Sequence, residues 1–178
     1  MTPIAHPHNA INYNNRGLFY FKSGQHQKAL ADYTKALQLD PQLSEAYNNR
    51  ANYYAAHKQL DMALSDYDQA IDLNPFNSRA WINRGITYRH LRLYDLSLDN
   101  LDFALRMGRF SAQIYAERGR TYHQMGDWNC AIADYESSLA KFRELHPPAN
   151  SPDLSGTVAR QLRRVEAWLN YLGRPLLA

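Results

Sequence analysis

Short helical stretches alternate with brief polar breaks along this chain. In residues 10–23, Tyr13, Gly17 and Tyr20 are spaced i, i+4 and i+7, so they share one face of a helix. After a break at residues 23–24, a similar spacing of small, aromatic and apolar side chains returns at Ala29, Tyr33, Ala36 and Leu37. The pattern predicts two helices joined as a hairpin, in which small residues allow close approach and aromatic rings fill the remaining space.

This hairpin pattern recurs with a period of 34 residues. Four positions keep their character in all four copies: an aromatic residue, an arginine, a small residue and a tyrosine. They are Tyr13, Tyr47, Trp81 and Tyr115; Arg16, Arg50, Arg84 and Arg118; Gly17, Ala51, Gly85 and Gly119; and Tyr20, Tyr54, Tyr88 and Tyr122. Two copies close with a proline, which ends the second helix because the residue before proline disfavours the α region; these are Pro41 and Pro75.

The period and its order of residues resemble the tetratricopeptide repeat. The segments NNRG and INRG resemble those of bacterial members of that family. The resemblance covers residues 10–145 and implies an all-α fold, a TPR α-solenoid in which helical hairpins form a right-handed superhelix of about nine helices. The copies are expected at residues 10–43, 44–77, 78–111 and 112–145.

Both ends of the chain depart from the repeat, although we expect a single domain overall. Residues 1–9 are predicted to be a flexible N-terminus, and residues 146–151, with two consecutive prolines, a linker. Residues 152–173 carry an apolar stripe and are predicted to form a C-terminal capping helix that covers the last repeat. Alternatively, this helix occupies the groove or contacts a second subunit.

The recurring arginines predict a periodic ion pair inside the hairpins. Asp32, Asp66 and Asp134 recur at one repeat position, where the remaining copy has Asn100. We expect the arginine of the first helix to pair with the aspartate of the second.

In the resembled family, the first helices line a concave groove that binds extended peptides. Counting residues 10, 44, 78 and 112 as position one, the sixth position carries Asn15, Asn49 and Asn83, with Glu117 breaking the run. An asparagine amide both donates and accepts, so such a ladder can bind a peptide backbone without demanding a sequence.

Other groove positions are predicted to select the partner. We expect amide and apolar contacts from Asn52, Ile82 and Ile86, and a basic zone from Arg79, Arg89, His90, Arg120 and His123. Residues 78–111 hold six arginines against three aspartates, a net charge of +3, so an acidic partner is expected. These arginines could equally form a solvated face.

Chaperone-tail receptors of the family share a clamp of lysine, asparagine and arginine at fixed positions. This chain offers Asn14, Leu18, Asn49, Arg79 and Asn83 there, of which only Asn49 matches outright. A chaperone-tail receptor is therefore disfavoured.

Composition excludes several classes of protein. The 13 tyrosines mostly occupy the repeating aromatic positions, and the single cysteine, Cys130, can form neither an internal disulfide nor a zinc cluster. We predict a cytoplasmic protein with no membrane segment, no metal site and no cofactor. Phosphate loops and nucleophile motifs are absent, so no enzyme is expected.

The sequence thus predicts a non-enzymatic scaffold that binds a peptide segment of a partner protein. One alternative is a homo-oligomeric scaffold, a monomer or weak homodimer that uses Trp168 and Tyr171 of the last helix. A less favoured alternative is a nucleic-acid adaptor: Arg160, Arg163 and Arg164 share one helix, but the whole chain carries a net charge of only +3.

Overall fold

The computed structural model describes residues 9–145 and 157–172, and in these ranges the only regular elements are helices. The predicted all-α fold is confirmed. The helices are α1 (Ala10–Lys22), α2 (His26–Leu39), α3 (Ser44–Ala56), α4 (Leu60–Leu73), α5 (Ser78–His90), α6 (Tyr94–Arg106), α7 (Ser111–Met125), α8 (Trp128–Leu145) and α9 (Thr157–Leu172). The predicted flexible residues 1–8 and the predicted linker up to residue 151 lie outside the described residues, as do residues 152–156 and 173 of the predicted last helix.

Local signals explain where the helices begin and end. The side chain of Asn9 accepts a hydrogen bond from the backbone N–H of Asn12 at 2.8 Å and caps the start of α1. The residues before Pro41 and Pro75 are extended and end α2 and α4.

The chain divides into two compact units between Leu91 and Arg92. In the first unit, α1 packs against α2, α3 against α4, and α5 against α4, while the first helices α1, α3 and α5 are neighbours in sequence order. In the second unit, α7 packs against both α6 and α8, and α9 packs against α8.

The core of three hairpins is a tyrosine ring lying over a small residue, and Leu101 stands at the tyrosine position in the remaining copy. Tyr33 and Tyr135 are fully buried, and a Cβ added at Gly17 or Gly119 would come within 2.8 Å of a carbon of the facing tyrosine ring. In the second hairpin, Ala51 stands at this position and packs beside Tyr67. The small residues therefore set the distance between the paired helices.

The turn between the two helices of each copy requires a left-handed backbone. Gly24 and Gly126 adopt φ angles of +76° and +85°, and the equivalent Lys58 and Arg92 adopt 62° and 61°. The torsion angle is thus kept even where the residue is not glycine.

In the second unit, α9 completes the core. Val165 is buried in a cluster with Ala116, Ala131, Tyr135 and Leu139, and Trp168 packs against the same cluster. None of the helices in the described part of the chain has the length and apolar character needed to span a membrane.

Candidate functional site

Arginine–aspartate pairs fix the first helix of three hairpins against the second. The guanidinium groups of Arg16 and Arg50 each donate two hydrogen bonds of 2.7 and 2.8 Å, to Asp32 and Asp66 respectively. Arg118 donates two bonds of 2.7 Å to Asp134. The predicted periodic pair is confirmed at these three copies.

Each of these guanidinium groups also lies among aromatic rings. Arg16 is 5.4 Å from the ring centre of Tyr13 and 5.7 Å from that of Tyr20. The hydrogen bonds to Asp32 raise the pKa of Arg16, against the opposing effect of burial. The recurring arginines are therefore committed to the internal structure of the hairpins.

The arginines of the third and fourth copies each have a carboxylate partner that was not predicted. Arg84 pairs with Asp68 at 2.5 Å, and Arg118 pairs with Asp102 at 2.6 Å in addition to Asp134. Both extra partners lie 16 residues before their arginine, on the second helix of the preceding copy. A search for aspartate at this spacing as well as 16 residues after the arginine would have found them.

The predicted asparagines lie on the face that α1, α3 and α5 share. Asn15 is exposed, and Asn49 and Asn83 are half-buried. Because α1 is next to α3 and α3 is next to α5, these side chains form one row across three helices of the first unit. The row therefore consists of polar amides that are all at least partly exposed.

Hydrogen bonds between amides orient this row. The amide nitrogen of Asn49 donates to Asn14 Oδ1 at 2.9 Å, and that of Asn83 donates to Asn48 Oδ1 at 3.3 Å. Asn48 also donates to Asn49 Oδ1 at 3.4 Å, so the bonds form a continuous chain. An amide has two donor hydrogens and an acceptor oxygen, so each bond uses only part of its capacity.

The sequence profile described as "Tetratricopeptide repeat" matches residues 10–43 and 44–77, and a second profile of the same description matches residues 66–99. Together these matches cover half of the chain. The protein belongs to the tetratricopeptide repeat family.

Solved TPR structures share the fold at low sequence identity. The first TPR of Spaghetti (RPAP3), bound to the HSP90 peptide SRMEEVD, is 23% identical over 70% of this chain and 99% of that chain, with a TM-score of 0.63. The TPR2B-domain:pHsp70 complex of yeast Sti1 is 24% identical over 65% and 97%, with a TM-score of 0.62. MamA is 20% identical over 78% and 81%, with a TM-score of 0.69.

Further predicted TPR groove residues flank the asparagine row in the first unit. Arg79 and His90 are exposed at the two ends of α5, and Ile86 is half-buried between them. Asn52 is half-buried, and its Oδ1 accepts a 2.7 Å hydrogen bond from the Tyr67 hydroxyl. Burial raises the pKa of Tyr67, which therefore keeps this proton to donate.

Two predicted groove residues are buried instead. Ile82 is 2% exposed and Arg89 is 1% exposed, so neither offers its side chain to an external peptide. Ile82 occupies the fifth TPR position, where Asn14 and Asn48 are also buried and bond to the first helix of the next copy. At Asn14 and Asn48 the fifth position joins neighbouring first helices, and the burial of Ile82 at the same position corrects its predicted contact with a peptide.

In the second unit, α9 covers the two remaining predicted residues. The guanidinium of Arg120 lies 5.0 Å from the ring centre of Trp168, and the ring of His123 stacks on Tyr171 at 6.2 Å. Burial and the neighbouring Arg120 lower the pKa of His123. Arg120 and His123 therefore support α9, which corrects the prediction that they line an open groove.

The same contacts place the two aromatic residues assigned to a homo-oligomer. Trp168 stacks on Tyr135 with ring centres 5.2 Å apart, and Tyr171 stacks on His123. Both rings thus have partners within the chain.

Reactive chemistry is sparse among the described residues. No cluster of three or more histidine, cysteine, aspartate or glutamate side chains suited to a metal ion occurs in residues 9–145 and 157–172. Cys130 is exposed, and a hydrogen bond with Asp127 raises the pKa of its thiol. This thiol is therefore a weaker nucleophile than an ordinary cysteine at neutral pH.

Proposed function

We propose that the first unit binds an extended peptide segment of a partner protein across α1, α3 and α5. The observation that carries this proposal is the row of accessible asparagines, Asn15, Asn49 and Asn83, on three neighbouring helices. TPR repeats are protein-interaction modules, and two of the structural neighbours are complexes with an HSP90 peptide and with pHsp70.

The bonded amides support a role in backbone recognition. Asn49 and Asn83 are held by Asn14 and Asn48, so their remaining donor and acceptor capacity points in a fixed direction before a ligand arrives. Preorganised groups lose less conformational entropy on binding. A peptide backbone, which presents an N–H and a carbonyl at each residue, matches this amide chemistry.

The flanking residues indicate what the peptide carries. Ile86 offers apolar contact, Arg79 places a cationic group at the start of α5, and the exposed His90 adds an imidazole at its end. An apolar segment with an acidic residue near one end is the sequence that this surface favours. Asn14 is buried and bonded to Asn49, so it does not supply the exposed cation that a chaperone-tail clamp would need there.

Selection from a phage-displayed library of linear peptides tests the proposal. Peptides enriched on the native chain should bind the Asn15→Ala/Asn83→Ala variant about thirtyfold more weakly, since each of the two lost amide contacts contributes roughly 1 kcal/mol. The matched control is Gln38→Ala/Gln69→Ala, which removes two exposed amides from the second helices α2 and α4.

Unfolding midpoints of all three proteins establish that each variant is folded. Equal affinity for the asparagine variant and the native chain would overturn the proposal, as would equal losses in the asparagine and glutamine variants.

A further inference from the structure

The last helix of the second unit carries three exposed cations. Arg160, Arg163 and Arg164 are all exposed on α9. Within residues 9–145 and 157–172, none of these three arginines forms an ion pair with a carboxylate. Arg120, by contrast, is bound to Glu117 at 3.3 Å.

One of these arginines borders a cleft between α7 and α9. The cleft has a volume of about 30 Å³, with Ala116 and Val165 among its lining residues. Gln113 and Glu117 of α7, at the second and sixth TPR positions, line it on one side, and Arg164 and Trp168 of α9 line it on the other. A cleft of this size holds about one water molecule, so a bound segment would lie across its mouth and insert only the end of a side chain.

The ring of Trp168 lies beside two arginine side chains at this cleft. Its ring is fixed by stacking on Tyr135, and the guanidinium groups of Arg120 and Arg164 lie 5.0 and 5.2 Å from its centre. An arginine held over an aromatic face is restricted in conformation, so it loses less entropy when it binds a carboxylate. Arg164 is the exposed member of this pair.

We propose that the cleft of Gln113, Glu117, Arg164 and Trp168 binds an acidic peptide segment, with Arg164 pairing a carboxylate and Trp168 contacting the neighbouring apolar side chain. The proposal goes beyond the proposed function, because it places a second peptide site on the second unit, at a helix outside the repeats. Gln113 adds an amide that suits a peptide backbone. Glu117 is paired with Arg120 at 3.3 Å, so its charge at the cleft is partly balanced.

Fluorescence anisotropy on the full chain tests this site. The probe is a labelled peptide of about ten residues that alternates glutamate with leucine, and its counterpart has glutamine in place of glutamate. We expect binding of the glutamate peptide only. The Arg164→Gln variant should weaken this binding about tenfold, which is the range of a charge-assisted hydrogen bond.

Arg163→Gln is the matched control, because it removes the same charge from the same helix at a residue that does not line the cleft. We expect a loss of less than about twofold there, since an exposed charge acts only weakly at a distance. Equal losses in the two variants would show general electrostatic attraction and overturn the proposal. So would no binding of the glutamate peptide, or tighter binding of a labelled oligothymidylate than of that peptide.

The outcome for this cleft is separable from that for the first unit. Asn15→Ala/Asn83→Ala leaves every cleft residue in place, so binding of the glutamate peptide should persist in that variant. One outcome is that the library peptides bind the asparagine variant as tightly as the native chain while Arg164→Gln still weakens binding of the glutamate peptide. That result would refute the peptide site of the first unit and support the cleft of the second.

Discussion

The first and last hairpins, α1–α2 and α7–α8, share their internal contacts and differ in what covers them. Both hold a tyrosine over a glycine and an arginine bonded twice to an aspartate. Yet Phe19 of α1 is 55% exposed, while Thr121, at the same position of α7, is fully buried. The inside of a hairpin is set by its own sequence, whereas the outside depends on its neighbours.

The other side of α7 shows the same dependence. Arg120 and His123 would be accessible on an isolated hairpin, but α9 covers them with Trp168 and Tyr171. A residue's repeat position therefore predicts its role only when the element next to it is known.

Removing the central arginine of the last hairpin should have the largest effect on stability. Arg118→Ala leaves the buried Asp134 without its partner, which costs about 3–5 kcal/mol. The second partner, Asp102, is partly exposed, so the excess over Arg16→Ala should stay below about 1 kcal/mol. Urea unfolding monitored by circular dichroism measures both values.

The control for this comparison is Asp102→Asn, which should cost no more than about 1 kcal/mol. An Arg118→Ala protein as stable as the native chain would show that the pair does not hold the hairpin together.

Adding one methyl group beneath the tyrosine should have the next largest effect. Gly119→Ala places a Cβ 2.8 Å from a ring carbon of Tyr135 and should cost about 1–3 kcal/mol by overpacking. Gly17→Ala should behave alike, because the corresponding distance to Tyr33 is 2.7 Å. Thermal unfolding midpoints test whether the two hairpins respond equally, and a tolerated alanine in either would break their equivalence.

Acid should weaken the covering helix of the last hairpin. The pKa of folded His123 is lowered, so the unfolded chain takes up a proton first as the pH falls through about 6.5. The contribution of neutral His123 to the free energy of unfolding therefore decreases as the pH falls below about 6.5. It reaches its minimum below the pKa of His123 in the folded chain. His123→Phe should flatten the unfolding free energy between about pH 7 and pH 5. An unchanged pH profile in this variant would contradict the expectation.

The smallest effect is expected on the uncovered side of the first hairpin. Phe19→Thr introduces the residue found at the equivalent positions of α5 and α7, and the change should stay within about 0.5 kcal/mol because Phe19 is exposed. Tyr53→Thr is the matched control; Tyr53 is 9% exposed, so its loss should cost about 3 kcal/mol. Similar costs at the two positions would refute the idea that neighbours decide burial.

The sequence predicted the repeat, the all-α fold and the arginine–aspartate pairs because each depends on short, regular spacings. It also located Asn49 and Asn83, though not the hydrogen bonds that join them to Asn14 and Asn48. It misplaced Ile82, which is buried, since helical periodicity does not distinguish a face toward solvent from a face that packs inside the protein. Arg120 and His123 were misjudged because their cover comes from a helix that is not part of the repeat.

The turns at Gly24, Lys58, Arg92 and Gly126 carry a consequence for how such repeats diverge. A left-handed corner costs a non-glycine residue roughly 1–2 kcal/mol. Lysine and arginine occupy two of these corners, so the folded chain carries this conformational cost twice. Replacing either residue with glycine would recover that part of the free energy of unfolding. The left-handed conformation of the corner is thus retained when the residue is not glycine. Copies of the repeat can therefore differ in sequence at this position and still make the same turn.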